Sequence, residues 1–138
     1  MRKEAAVVTI WGSDGSPYLT RVTLGSLRLH VFHRGDADPD CHDHPADFWT
    51  FPLVSYLEEF ITPEGERRRR IVRAFRLHRR KAELAHRVIC PAAGEGQIAT
   101  IVWWGRKRRE WGFITGSGWV PWREYAEQAQ PNAEAAHA

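Results

Sequence analysis

The sequence predicts an all-β fold, a sandwich or barrel of short antiparallel strands. Three observations lead there. Apolar and polar residues alternate with period two over several short stretches. Those stretches recur at near-regular spacing, separated by clusters of Gly, Pro, Asp and Ser. Seven tryptophans among 138 residues, within a composition that is 43% hydrophobic, supply large rings for a compact β interior.

The elements follow in order. Ala5 to Trp11 contains the β-branched run Val7-Val8-Thr9-Ile10 and ends in the turn-forming Gly12-Ser13-Asp14-Gly15-Ser16-Pro17. Tyr18 to Leu24 and Leu27 to His33 read as strands, the second with Arg28 and His30 between apolar neighbours. A loop from Gly35 to Asp40 delivers the chain to Cys41. Phe48 to Phe60 is apolar and aromatic, and Pro52 within it implies a bulge or a break. Thr62-Pro63-Glu64-Gly65 is a turn, and Arg68 to Leu77 has the partial alternation of one half-buried strand. Leu84 to Ile89, Gln97 to Trp104, Trp111 to Ile114 and Trp119 to Trp122 complete the strands. The stretch 122–130 reads as a short helix stopped by Pro131. The expected organisation is a single domain over 1–130 with a flexible C-terminal tail over 131–138.

Composition narrows the function classes. No apolar run is long enough to form a membrane-spanning helix. Met1-Arg2-Lys3-Glu4 lacks the apolar core of a signal peptide, so a cytoplasmic protein is expected. Cys41 and Cys90 are too few for a disulfide framework and are expected as thiols. The net charge of +3 is unevenly placed: 14 of the 20 Lys and Arg, but three of the 17 acids, lie between Glu66 and Arg109. Such clusters attract polyanions, yet no nucleic-acid motif accompanies them. A charged strand edge guarded against aggregation is the preferred reading, and nucleic acid is not the expected partner.

The stretch Cys41-His42-Asp43-His44-Pro45-Ala46-Asp47 carries the chemistry. Histidines two apart on a strand share a face, their Cα atoms about 6–7 Å apart. Two imidazoles so placed can converge on one metal ion, and His86 on a later strand can supply a third. Cys41, of opposite parity, faces away. Arg28, Arg73 and Arg87 each interrupt an apolar run, where an inward guanidinium would bind a carboxylate in a two-point contact. His30 would face the cavity as a substrate contact or as a partner to a ligand. Glu58, Glu83 and Tyr56 are candidates for acid or base, with nothing in their spacing to choose among them.

These residues resemble the cupins, a family of small double-stranded β-helices, or jelly rolls, with a metal inside. The His-x-His of the family's first motif is matched by His42 and His44, and the later histidine of its second motif by His86. The resemblance spans Tyr18 to Ile114. The glycines and proline that precede the second histidine in the family are replaced here by Lys81-Ala82-Glu83-Leu84-Ala85. The family's glutamate would fall at Phe48 or Trp49, neither of which binds metal, so both are expected to line the cavity. A bulge at Pro45 would turn Asp47 inward as a fourth ligand; three histidines with open positions are the preferred arrangement. That set resembles the thiol dioxygenases and some diketone-cleaving cupins. It implies one divalent ion, Fe(II) or Zn(II) first, with Mn, Ni and Cu also compatible. The implied function is a metal-dependent enzyme acting on a small, carboxylate-bearing substrate, an Fe(II) oxygenase first. A Zn-dependent isomerase or lyase and a non-catalytic small-molecule-binding cupin are the alternatives. The segment Lys107 to Phe113, followed by Gly118 to Tyr125, resembles the end of a subset of small cupins. It is expected to close one end of the barrel or to form a homodimer.

Overall fold

The structure is a computed structural model, described here over residues 5–11 and 15–128. The segment Gly12–Asp14, the last residues of the expected helix and the tail over 131–138 lie outside the described residues. Twelve strands are present among those described: β1 (Ala6–Trp11), β2 (Pro17–Leu24), β3 (Leu27–Phe32), β4 (Cys41–His42), β5 (Phe48–Pro52), β6 (Tyr56–Ile61), β7 (Arg67–Val72), β8 (His78–Arg80), β9 (His86–Pro91), β10 (Ile98–Trp104), β11 (Gly112–Thr115) and β12 (Gly118–Pro121). A helix follows over 122–128.

The strands form two six-stranded sheets whose pairings are all antiparallel. One runs β1-β2-β3-β10-β5-β8 and the other β12-β11-β4-β9-β6-β7. Tyr56, Val72 and Val88 of the second sheet pack on Ile98 and Phe32 of the first, so the sheets face one another across an apolar core.

The expected break at Pro52 is present, the expected strand Arg68 to Leu77 is divided as well, and both crossings link the two sheets. Pro52 ends β5, and after a short bend the chain re-enters as β6 in the opposite sheet. The expected strand Arg68 to Leu77 stops at Val72; the chain turns through 73–77, with Phe75 at φ 59°, and resumes as β8 in the first sheet. A bulky residue at positive φ is uncommon and marks a forced turn. Its amide donates to the Pro52 carbonyl at 2.8 Å, which ties the turn to the end of β5. Arg73 therefore sits exposed in a turn, where it interrupts no strand and faces no cavity.

Gly112 opens β11 because nothing larger fits. A Cβ there would lie 2.2 Å from the Val120 carbonyl oxygen. That close approach sets the tight β11–β12 hairpin beside β4, the strand that carries His42.

Candidate metal centre

β4 is only two residues long, so it holds His42 but not His44. His42 pairs directly across from His86 on β9, which puts both rings on one face. His44 lies beyond the strand end and is placed by clamps instead. Its amide donates to the Ala82 carbonyl at 2.9 Å, and its carbonyl accepts from Arg109 at 3.2 Å. Between the two histidines, Asp43 is buried and acts as a lock. It accepts from the Gly112 amide at 2.7 Å and the Trp119 indole at 3.0 Å, and pairs with Arg109 at 2.8 Å. Part of the basic run 106–109 is thus fastened to the histidine loop, which explains the Arg109 charge without an external polyanion.

The three imidazoles form a near-equilateral group, with ring centroids 4.8, 5.1 and 5.2 Å apart. Their ligand nitrogens all lie within 4.8 Å of one another. The Nε2 atoms of His44 and His86 are 3.2 Å apart. Two nitrogens bound to one ion at about 2.1 Å each stand roughly 3.0–3.4 Å apart for angles between square and tetrahedral. The donor set therefore fits a divalent ion, with a modest inward shift of His42.

Protonation states agree. Burial, aided by the neighbouring His86, lowers the His42 pKa to about 3. Burial likewise holds His44 well below the usual histidine range, with His86, His42, Arg80 and Arg109 adding to the effect. Both rings are neutral near pH 7, as metal ligands must be.

Behind His86 lies a network that spacing did not select. The Glu58 side chain is fully buried and accepts from His86 Nδ1. This leaves the His86 Nε2 lone pair directed at the group, the usual arrangement in which a carboxylate fixes a ligand's tautomer. Arg80, also buried, binds Glu58 at 2.9 Å and donates to the Tyr56 hydroxyl at 3.3 Å. Arg70 binds Glu58 from a more exposed position at 2.8 Å. Burial opposes ionisation of Glu58, but the charges and hydrogen bonds of His86 and Arg80 outweigh it and hold the carboxyl well below its usual range. Burial raises the Tyr56 hydroxyl to about 12, so it keeps its proton. Of the three acid–base candidates, Glu58 and Tyr56 belong to this network. Glu83 is tied to Arg108 instead.

The walls are aromatic. Phe48 and Trp104 approach the His44 ring at 4.8 and 6.0 Å, and Trp111 and Phe113 approach His42 at 6.1 and 5.9 Å. Trp111 stacks on Trp122, and Phe113 on Tyr125, so the C-terminal aromatic segment packs against the histidine group.

The structure corrects or settles the other expected placements. Arg87 does not reach the interior: its Nε donates to Glu59 at 3.1 Å, because it alternates with His86 and so takes the opposite face of β9. Glu59 also pairs with Arg67 and Arg69, so this cluster binds itself. Trp49 is partly exposed and outward, stacked under the Arg79 guanidinium, because Phe48 takes the inward position. Asp47 accepts from the Ala82 amide and from Arg108, both at 2.8 Å, and is outside the group of possible ligands. Arg28 and His30 do share the face of β3 that carries the core residue Phe32. Cys41 is buried on the face opposite His42, with Arg67 nearby at 3.9 Å.

No family model and no curated protein matches this chain. Solved structures do match. An iron(II) form of HppE aligns with a TM-score of 0.56 at 15% identity, over 76% of this chain and 58% of that one. The hydroxypropylphosphonic acid epoxidase from S. wedmorenis aligns with a TM-score of 0.51 at 14% identity, over 74% and 56%. The cupin domain of Drosophila melanogaster CENP-C aligns with a TM-score of 0.51 at 7% identity, over 75% and 80%. The fold is a cupin jelly roll. At these identities the likeness carries the fold alone. This chain spans less than two thirds of the length of the HppE chain. No helix among the described residues is long and apolar enough to cross a membrane.

Proposed function

We propose that this cupin is a metal-dependent enzyme whose ion is held by His42, His44 and His86. The observation that carries the reading is the Nε2–Nε2 separation of 3.2 Å between His44 and His86, with Glu58 fixing the His86 tautomer from behind. Three neutral ligands leave a divalent ion its full charge, which suits direct binding of a small anionic substrate. Iron is favoured, because imidazoles suit Fe(II) and the HppE neighbour is an iron(II) protein. An Fe(II) ion held there would supply one-electron and dioxygen chemistry, hence an oxygenase. Zinc would supply Lewis acidity, hence an isomerase or lyase. Around the ion, Phe48, Trp104, Trp111 and Phe113 exclude water. Glu58, kept ionised by Arg80, holds the proton on His86 Nδ1.

The test is reconstitution with Fe(II) or Zn(II), followed by dioxygen uptake and product analysis over a panel of small carboxylic acids. Uptake that needs both Fe(II) and one class of acid, and that is lost in His44→Ala together with the bound metal, is expected. Conversion under Zn(II) without uptake would select the isomerase or lyase. A His44→Ala protein that keeps its full metal content would refute the centre.

A further inference from the structure

The wall contributed by β3 and the end of β10 is rich in nitrogen donors without partners. Arg28 Nε, His30 Nε2 and Trp104 Nε1 are all buried atoms with no hydrogen-bond partner. Arg28 and His30 stand two apart on β3, on the inward face, and Arg21 pairs across from His30 on β2. The Arg28 guanidinium lies 5.3 Å from the Trp104 ring centre, and the same Trp104 ring approaches His44. Among the described residues Arg28 has no acidic partner, whereas Glu58 and Glu59 each satisfy several arginines. A buried Arg28 Nε–H and a buried indole N–H on the same wall are costly unless something accepts from both. Arg21 adds positive charge to the same wall. The chemistry missing from it is an oxyanion.

We propose that this wall is an oxyanion subsite, in which the carboxylate or phosphate end of a substrate accepts hydrogen bonds from Arg28 Nε and the Trp104 indole. The planar edge of Arg28 suits the two oxygens of such a group, and Trp104 gives the third contact. His30 lies alongside as a neutral ring, since burial lowers its pKa to about 4. Because Trp104 borders both Arg28 and His44, the bound molecule is short, with its reacting part on the imidazole side. This rests on the reading of the three histidines as a metal centre, and it assigns the other end of the substrate.

Indole N–H resonances test it. The protein has seven tryptophans, and the Trp104 signal is assigned by its loss in Trp104→Phe. Sodium acetate and inorganic phosphate are titrated separately, at constant ionic strength, into metal-free and Zn(II)-loaded protein. The Trp104 signal is expected to shift saturably with at least one anion, and the stronger binder identifies the class. Arg28→Gln should weaken that anion about tenfold or more. Arg28→Lys should weaken it too, since Lys keeps the charge but lacks the fork. Arg87→Gln, on the outer face, should leave it unchanged. No saturable shift with either anion, or equal affinity in Arg28→Lys and the parent, would overturn the subsite. The metal-free titration separates the two readings. Anion binding without metal uptake defeats the centre alone, and metal uptake without anion binding defeats the subsite alone.

Discussion

Glu58 illustrates how a buried charge is tolerated and used. Its carboxylate takes hydrogen bonds from His86, Arg80 and Arg70, so its desolvation is offset by three partners. Glu58→Gln would leave Arg80 buried beside a neutral amide, and loss of one member of a buried pair costs about 3–5 kcal/mol. Urea unfolding should show a loss of that order, and metal affinity should fall about 10–100-fold because His86 loses its orienting carboxylate. A variant as stable as the parent would contradict the network. The histidines give a second prediction, for metal-free protein. The folded pKa values of His42 and His30 lie near 3 and 4, and that of His44 well below 6.5, the ordinary value they regain on unfolding. Below pH 6.5 the unfolded chain therefore binds more protons, and stability falls as pH drops from about 6.5 toward 4. Asp36 opposes this, since burial raises its carboxyl to about 6 and the folded state gains its proton earlier, and burial raises Asp38 in the same direction. Three histidines outweigh two aspartates, so the urea midpoint in chelator should be lower at pH 5 than at pH 7. A higher midpoint at pH 5 would contradict the neutral, buried placement of these rings.

At the scale of elements, the grouping of the three histidines was legible from the His-x-His spacing and, for His86, from the family resemblance, but the spacing worked for a reason that the structure amends. The spacing implies one strand through His42 and His44, whereas β4 ends at His42. His44 reaches the group because Asp43 and the 105–112 segment pin the loop. Asp43 binds Gly112, Trp119 and Arg109, and Gly105 N binds the Asp47 carbonyl at 2.8 Å. These partners lie more than 55 residues away, where local periodicity carries no information. Asp43→Ala should cost about 2–4 kcal/mol, since it removes a buried charge and leaves donors unpaired. It should also weaken metal binding, although Asp43 is outside the candidate ligand group. Metal affinity equal to the parent's would show that His44 is held by other means. The arginines divide on similar grounds. Arg28 followed the alternation of its strand. Arg73 and Arg87 did not serve as expected, because the first lies in a turn created by the β7–β8 crossover and the second points outward against Glu59.

At the scale of the molecule, strand periodicity and turn chemistry were enough for an all-β sandwich. They could not reveal that Phe48 to Phe60 and Arg68 to Leu77 each feed both sheets, since a crossover depends on the partners a strand finds and not on its own pattern. Arg80 was hidden for a related reason, and Glu58 stood among three acid–base candidates with nothing to choose it: only the crossover into β8 buries one against the other. The central claim is that β4, the loop after it and β9 bring three imidazoles to one ion. X-ray absorption at the metal edge of the reconstituted protein tests it most directly. One ion per chain is expected, with nitrogen donors at about 2.0–2.2 Å and the outer-shell scattering of three imidazoles. A shell of oxygens alone, or one containing sulfur, would contradict it.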